Sequence, residues 1–306
     1  MALPKEIEDA TNNFDPSNLI AEGSQGQLYK GWLINGSMVM INRVKLKHKS
    51  LHKNCIQNLE VLPYLRHRHL VSVLGHSAIT YEDHSQMTST IFIVFEHVSN
   101  VSLRDYLADR RKKEMLKWPQ RMGISICIAR GIQFLHTGVN PGIFGNNIKI
   151  DNVLLDNSLN AKISGYSIPL ASKKGHNNNL NEQRALNQIG CTNNSEKEDI
   201  YQFGVILLEI ITGKLITSCS KLERGLLEAT SPSLKAASPV SRGISDPSLH
   251  GTYAYESMRP AVQITTSCLS KVPSDRPSIE DILWNLQYAM QVQEARTSSA
   301  NLIAKL

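Results

Sequence analysis

The sequence has no long apolar run and no paired cysteine motif, and these two absences exclude several classes of protein. No segment approaches the ~20 apolar residues that a membrane-spanning helix needs, and the longest candidate, Phe203–Ile211, contains Glu209. The five cysteines are an odd number with no Cys-x-x-Cys spacing, so neither a zinc site nor a disulfide framework is indicated. The N-terminus also lacks the pattern of a signal peptide. We therefore expect a soluble chain from a reducing compartment.

An excess of charge of one sign is also missing. The 306 residues carry 33 Lys and Arg against 27 Asp and Glu, a net charge of +6. Spread over a surface of this size, that charge does not indicate nucleic acid binding. Two basic clusters, at 45–53 and 110–113, are consistent with contact to anionic lipid of an inner membrane leaflet. The alternative for both clusters is an ordinary solvated face.

The first hundred residues carry the pattern of a sheet with one helix. Alternating polar and apolar residues over 19–45 predict strands, with a turn at Asn35-Gly36. Leu70–Leu74 and Ile91–Phe95 read as buried strands, and apolar residues over 51–66 recur at helical spacing. Residues 1–16 read as a helical lead-in. This part of the chain is therefore predicted to be a small, mostly antiparallel sheet.

The pattern changes to helices after residue 100. Polar segments at 171–198 and 216–246 read as loops or surface excursions, and the last dozen residues as a loose tail. We predict an α+β chain with a lead-in (1–16), a small lobe (17–98), a larger helical lobe (99–293) and a tail (294–306). The predicted elements of the larger lobe are helices at Val101–Asp109, Trp118–His136, Asp199–Thr212 and 276–293, and short strands at Val153–Leu155 and Ala161–Ile163.

Five short motifs occur in the order in which protein kinases carry them. They are the glycine-rich loop (21–31), the segment after helix C (65–71), the catalytic loop (147–156), the start of helix F (199–205) and the arginine motif near the end of the domain (275–278). With ATNNF at 10–14 and ARGIQFLHTG at 129–138, the chain resembles the cytoplasmic domain of plant leucine-rich-repeat receptor-like kinases, of the branch named as inactive. The resemblance implies the bilobal kinase fold, with helix C in the small antiparallel lobe and a mainly helical larger lobe.

The resemblance also shows which catalytic groups the chain lacks. Phosphoryl transfer by a kinase needs a strand lysine, a helix C glutamate that holds it, a base and a metal-binding aspartate. The matching positions hold Asn42, Asn58, Asn147 and Gly165. An amide neither neutralises a phosphate nor takes up a proton, and glycine offers no ligand to Mg²⁺. No catalytic residue is therefore intact.

Nearby charged residues offer little replacement. Alternation along the strand places Arg43 and Lys45 on the face opposite Asn42, and Lys30 reads as a solvated strand residue. Asp151 and Asp156 are the nearest acids for a metal, and the competing interpretation is that both are solvated loop acids. By contrast, the resemblance implies that the framework residue Asp199 still ties down the backbone of the catalytic loop. Arg276 is also retained, without an Ala-Pro-Glu partner before Asp199.

The resemblance places a vestigial nucleotide cleft on eleven residues. One of them, Met40, stands where the family has an alanine against adenine, and its bulk predicts a partly filled pocket. The alternative is that the flexible methionine folds aside. We expect no required cofactor, at most weak ATP binding, and no bound Mg²⁺. The eleven residues are Ala21, Gly23, Gly26, Leu28, Met40, Phe95, His97, Val98, Lys149, Asn152 and Leu154.

These residues predict a catalytically inactive pseudokinase that acts as a scaffold or allosteric partner of other receptor-like kinases or signalling proteins. The resemblance implies a place on the cytoplasmic side of the plasma membrane, although the chain has no transmembrane segment of its own. Two alternatives remain. The chain is a weak or atypical serine/threonine kinase, or it is a nucleotide-sensing switch that binds ATP without transferring phosphate.

Overall fold

The computed structural model describes residues 4–23, 26–46, 62, 65–83, 86–98, 101–168, 193–216 and 245–303. They fall into two compact units, the first within Met1–Val98 and the second built from Ser99–Ser167 and Gly190–Leu306. The α+β prediction, a sheet followed by helices, is confirmed. The helix predicted over 51–66, which includes Asn58, lies almost wholly outside the described residues, as do most of 171–198 and 216–246.

The first unit contains a five-stranded antiparallel sheet in the order β1-β2-β3-β5-β4. The turn between the second and third strands lies at the predicted Asn35-Gly36. There Gly36 has a φ of 79°, and the Leu33 N–H donates to the Ser37 carbonyl at 2.9 Å. Such a φ favours glycine. The strands are β1 (Leu19–Gly23), β2 (Gly26–Trp32), β3 (Met38–Leu46), β4 (Val73–Asp83) and β5 (Gln86–Glu96).

Strand β3 separates two environments by alternation of its side chains. Val39 and Ile41 are fully buried on one face, where they pack in a core with Ile7 of the lead-in helix α1 (Pro4–Ala10). The helix predicted in the lead-in is confirmed and forms part of this core. Met40 and Asn42 consequently lie on the other face of the sheet. The alternation of side chains along β3 therefore leaves Met40 and Asn42, and not Val39 and Ile41, on the face open to a ligand.

The predicted strand Leu70–Leu74 is wrong in its bounds. Leu70 is buried but precedes the strand, which begins at Val73 and continues to Asp83. The pairing with β5 shifts register between Val73 and Gly75. This bulge leaves Leu74 half-exposed, because an extra residue in one strand has no place in the alternation.

The second unit is mainly helical, as predicted, with a two-stranded ribbon whose bounds match the prediction. A capping box at Ser102, whose hydroxyl and backbone exchange hydrogen bonds with Asp105, starts its first helix. The elements are α2 (Leu103–Ala108), α3 (Arg110–Met115), α4 (Trp118–Thr137), β6 (Val153–Leu155), β7 (Ala161–Ile163), α5 (Asn193–Thr212), α6 (Tyr255–Cys268) and α7 (Ile279–Ile303).

Two helices of this unit are longer than the sequence pattern predicts. Helix α5 begins at Asn193 instead of Asp199, and α7 continues to Ile303 instead of ending at residue 293. Helix α7 thus extends into the segment predicted as a tail, as far as Ile303. No glycine or proline occurs between 294 and 303 to stop the helix.

A buried guanidinium joins three segments of the second unit. The Arg121 side chain is 1% exposed and donates to the Ile210 carbonyl at 2.6 Å, the Leu116 carbonyl at 2.9 Å and the Asp246 carboxylate at 2.8 Å. Burial by itself would raise the pKa of Asp246. Hydrogen bonds from the Ser248 N–H and from Arg121 outweigh burial, so the pKa of this carboxyl group lies below its usual value.

The contribution of the lead-in helix to the first unit is testable with two isoleucines. Ile7 is 1% exposed and Ile34 is 90% exposed. We expect Ile7→Ala to lower the free energy of unfolding by about 2–5 kcal/mol, because it leaves a cavity in the core. The same change at Ile34 should alter it by no more than about 0.5 kcal/mol. Urea denaturation measures both values, and equal effects would show that α1 does not belong to the core.

Candidate functional site

Asn42, at the position of the strand lysine, lies close to the glycine-rich loop. It is half-buried on β3, directly opposite Leu28 on β2 and Ile93 on β5. Gly26 has a φ of 114°, and a Cβ added there would lie 2.8 Å from Asn42 Oδ1 and 2.5 Å from the Arg43 carbonyl oxygen. The loop glycine therefore packs directly against Asn42 and the β3 backbone, and only glycine fits this approach.

The nearby cations of the first unit are committed elsewhere. The Arg43 guanidinium lies 4.6 Å from the centroid of the Phe14 ring, on the side of the sheet that holds α1. Lys30 shares a face with Asn42, but its Nζ lies 5.2 Å from the centroid of the Trp32 ring. Lys45 is exposed and lies on the same face of β3 as Arg43, opposite Asn42. None of these three cations therefore replaces the missing strand lysine.

Met40 and Phe95 place two large side chains next to each other. They are directly opposite on β3 and β5, and both are half-buried on the face that also carries Asn42. A methionine here occupies space that the family's alanine leaves open. The remaining predicted cleft residues of this unit lie on β1, on β2 or just after β5. Ala21 and Gly23 on β1 pair with Leu28 and Gly26 on β2, and His97 and Val98 follow β5.

The second unit brings three of the predicted catalytic-site residues together. The Asn152 Nδ2 donates to the Asn147 carbonyl at 3.2 Å, and a Cβ added to Gly165 would lie 3.2 Å from that same Nδ2. Asn147 and Gly165 both have a positive φ, of 47° and 64°. Asparagine and glycine are the residues that tolerate this conformation best. The base position and the metal position therefore adjoin Asn152, with neither carboxylate present.

Two further residues of the predicted cleft belong to the second unit. Lys149 precedes a short 3-10 turn and is exposed, whereas Leu154 lies on β6 and is half-buried. The Leu154 backbone forms a bridge with Ser102. The lysine therefore remains available to an anion, and the leucine is held by the small ribbon.

The Asp199 carboxylate anchors the catalytic loop. Its two oxygens accept hydrogen bonds from the Gly145 N–H at 3.1 Å and from the Asn146 N–H at 2.7 Å. The Asn146 Nδ2 donates to it at 2.8 Å, and His136 Nε2 lies 2.9 Å away. The side chain is 0% exposed, so these contacts replace water completely. The framework role expected of Asp199 is thus seen in the geometry.

Asn146 is a residue whose role the sequence reasoning missed. It occupies the arginine position of the His-Arg-Asp motif, and it is fully buried. Its Oδ1 accepts the Ser167 N–H at 3.2 Å, and the Ser167 hydroxyl donates to the Gly145 carbonyl at 2.6 Å. A single amide thus connects the catalytic loop to the segment after Gly165. The signal in the sequence is the retained Asp199, because a buried carboxylate needs hydrogen-bond donors around it.

The two acids considered as metal ligands have other partners. The Asp151 carboxylate lies 3.4 Å from Arg104 Nε. Asp156 accepts the N–H groups of Ser158 and Asn160, so its pKa is lowered although burial would raise it. Among the described residues, no group of three His, Cys, Asp or Glu side chains is placed to hold a metal ion. The loop-acid interpretation of both residues fits this geometry.

Arg276 is held without the glutamate that the family motif provides. Its guanidinium donates to the Lys197 carbonyl at 2.8 Å and to the Ser270 carbonyl at 3.0 Å, and it stacks on the Tyr201 ring at 4.7 Å. In return, the Lys197 ammonium donates to the Arg276 carbonyl at 2.7 Å. Backbone oxygens and an aromatic ring therefore hold this arginine, and the exposed Glu198 carboxylate lies 4.0 Å from it.

Comparison with known proteins agrees with this geometry. The sequence profile of the family "protein tyrosine and serine/threonine kinase" matches residues 15–286. An Arabidopsis thaliana protein named a probable LRR receptor-like serine/threonine-protein kinase is 55% identical over 299 residues, which are 97% of this chain and 39% of that protein. Another Arabidopsis protein, named a probable inactive leucine-rich repeat receptor-like protein kinase, is 42% identical over 298 residues, 97% of this chain and 37% of that protein. The chain thus spans about two fifths of the length of these relatives.

A solved structure shows the same fold. The pseudokinase domain of BIR2, described as an immune regulator of the RLK/Pelle family, matches with a TM-score of 0.72 and 25% identity over 95% of this chain and 86% of that one. The predicted kinase fold is therefore confirmed. Within the part of the chain that the structure describes, none of the helices has the length and apolar character needed to cross a membrane.

The dependence of the loop on Asp199 is testable with an isosteric change. In Asp199→Asn, an amide group faces donors that need an acceptor, so we expect the free energy of unfolding to fall by about 3 kcal/mol or more. The neighbouring Glu198 is 54% exposed, and Glu198→Gln should cost no more than about 1 kcal/mol. Thermal unfolding of both variants checks this difference. A change at Asp199 as small as that at Glu198 would contradict the anchoring role.

Proposed function

The chain belongs to the protein tyrosine and serine/threonine kinase family, and from this premise we propose that it is a pseudokinase domain that acts by binding other proteins. Its similarity is to the kinase domains of plant LRR receptor-like kinases. The proposed role is that of a scaffold or allosteric partner beside an active receptor-like kinase. In this role the kinase fold binds partner proteins through its surface and does not catalyse phosphate transfer.

The observation that carries the proposal is the pairing of Asn147 with Gly165 around Asn152. A hydroxyl substrate needs a base that takes its proton, and the Asn147 amide cannot do so. The γ-phosphate needs a metal held by carboxylate, and Gly165 supplies none. General base catalysis alone contributes on the order of 10²–10⁴ in rate. With Asn42 in place of the strand lysine as well, useful turnover is not expected.

Residues outside the lost catalytic positions hold the catalytic loop in place without a bound nucleotide. Asp199 and Asn146 hold the catalytic loop by hydrogen bonds that involve no metal and no phosphate. Ser167 holds the following segment to the same loop. A binding protein benefits from such a preorganised surface, because less conformational entropy is lost on association.

A second candidate function, a weak or atypical serine/threonine kinase, is favoured by the name of the 55% identical relative. It would have to use Lys149 and Asn152 with an unconventional acid. A nucleotide-sensing switch is the third candidate, supported by the retained Gly23 and Gly26. The weak kinase and the nucleotide switch both require the phosphates of ATP to reach the glycine-rich loop, where Gly26 packs against Asn42.

The cellular setting follows from the relatives and is part of the proposal. We infer that the domain works on the cytoplasmic side of the plasma membrane, as part of or next to a receptor. Its partners would then be other receptor-like kinases or signalling proteins. A required cofactor is not expected.

Nucleotide binding is tested by thermal shift with ATP, with and without Mg²⁺. We expect no rise in Tm for the natural chain, because Met40 is predicted to fill part of the adenine pocket. Met40→Ala should produce a rise, since a ligand at about 100 times its Kd stabilises a protein by about 2.7 kcal/mol. Met38→Ala, two residues away on the same face of β3, is the matched control and should behave like the natural chain. A metal-dependent rise in the natural chain would favour the switch or the weak kinase instead.

Phosphate transfer is tested with radiolabelled ATP and a general protein substrate. We expect no incorporation above that of heat-denatured protein, because the base, the metal ligand and the strand lysine are absent. Lys149→Met is the companion variant. Incorporation by the natural chain that disappears in Lys149→Met would establish the weak kinase and refute the pseudokinase proposal.

A further inference from the structure

Two aromatic side chains on the last helix face solvent. Trp284 is 65% exposed and Tyr288 is 47% exposed, and their rings stack almost parallel, with centroids 5.7 Å apart and planes 3° apart. The opposite side of α7 is the buried one, where Ile282, Leu286 and Ala289 are 0% exposed. The pair therefore contributes nothing to the core. A large stacked aromatic surface left in water marks a candidate binding site.

The stretch of α7 that carries this pair has charged side chains of one sign only, and the flanking Arg276 and Arg296 donate to backbone carbonyls. Glu280, Trp284 and Tyr288 follow each other at spacings of four, which aligns them in one row along the helix. Glu280 is exposed as well. Between Pro277 and Ala295 the chain carries three carboxylates, at 280, 281 and 294, and no lysine or arginine, although its net charge is +6. The row therefore combines aromatic faces with negative charge.

We propose that this row, defined as Glu280, Trp284 and Tyr288, binds an arginine-bearing segment of a partner protein. A guanidinium is planar, so it stacks on an aromatic face and donates hydrogen bonds to a carboxylate at its edge. Successive residues of one helix row lie close enough for one side chain to meet both groups. The surface lies wholly on the second unit and does not depend on the proposed function.

The chain itself shows the geometry that such a contact would take. Arg43 lies 4.6 Å from the centroid of Phe14, and Arg276 lies 4.7 Å from that of Tyr201. Within the described residues, the cation–π contacts use Phe14, Trp32, Tyr106 and Tyr201, and none uses Trp284 or Tyr288. The exposed faces of the pair are thus open to a cation from another molecule.

The same charge argues against a membrane as the occupant. An exposed tryptophan and tyrosine are common at lipid interfaces, where lysine and arginine accompany them. Here the accompanying side chains are acidic, and an anionic leaflet would repel them. A basic protein segment satisfies both the aromatic rings and the carboxylate, so it is the occupant that the charges favour.

The test uses the whole chain and a blocked peptide of alternating arginine and glycine residues, with binding measured by isothermal titration calorimetry at low and physiological salt. We expect Trp284→Ala to weaken binding at least tenfold and Glu280→Gln to weaken it about threefold. Trp284→Phe, which keeps an aromatic face, should retain most of the affinity. The equivalent lysine peptide should bind more weakly than the arginine peptide.

Matched controls lie on the first unit. Trp32 is also an exposed tryptophan, at 44%, and Glu22 is an exposed carboxylate. Trp32→Ala and Glu22→Gln should leave the affinity unchanged. Equal losses for Trp32→Ala and Trp284→Ala would show diffuse attraction and overturn the proposal, and so would an unchanged affinity in Trp284→Ala or no binding of either peptide. Because Trp284 is exposed, its variants should keep the natural Tm.

Discussion

The buried Asp199 carboxylate is the constraint on which the functional half of the second unit depends. A carboxylate without access to water is costly unless donors surround it, and here two backbone N–H groups, the Asn146 amide and His136 supply those donors. The need for these donors also constrains the backbone segments that supply them. It fixes the path of the loop at Gly145 and Asn146, and through Asn146 it also fixes the position of Ser167. The loop is therefore a structural element in its own right, independent of any reaction.

This independence separates the framework of the kinase fold from its chemistry. Asn147 and Gly165 stand where the family has carboxylates, yet both adopt a positive φ that few other residues tolerate. The backbone thus has a positive φ at both positions, although asparagine and glycine stand there in place of the carboxylates. In the first unit, likewise, Gly26 is retained, and its closest neighbours are Asn42 and the β3 backbone.

The first and last helices each carry buried side chains that stabilise a unit, and the last helix also carries exposed ones. Helix α1 enters the core of the first unit through Ile7, and Phe14 stacks on Phe92 and carries the Arg43 guanidinium. Helix α7 packs into the second unit through the buried Leu286, and its Trp284 is exposed to solvent. A segment that resembles a lead-in in sequence thus completes the core of the first unit, and the last helix of the second unit leaves an aromatic pair exposed. Burial, not position along the chain, decides which of their side chains stabilise and which remain free to bind.

The sequence by itself determined the fold class, the order of the motifs, the two strands of the small ribbon and the loss of the catalytic side chains, because these depend on residue type and local spacing. Alternation along β3 was sufficient to place Arg43 away from Asn42. Only the tertiary structure decided that the Asn146 amide would donate to Asp199 and that a bulge would turn Leu74 outward. Both depend on groups distant in the chain. Hydrogen-bond satisfaction in a buried site is a property of three-dimensional neighbours, and no local pattern encodes it.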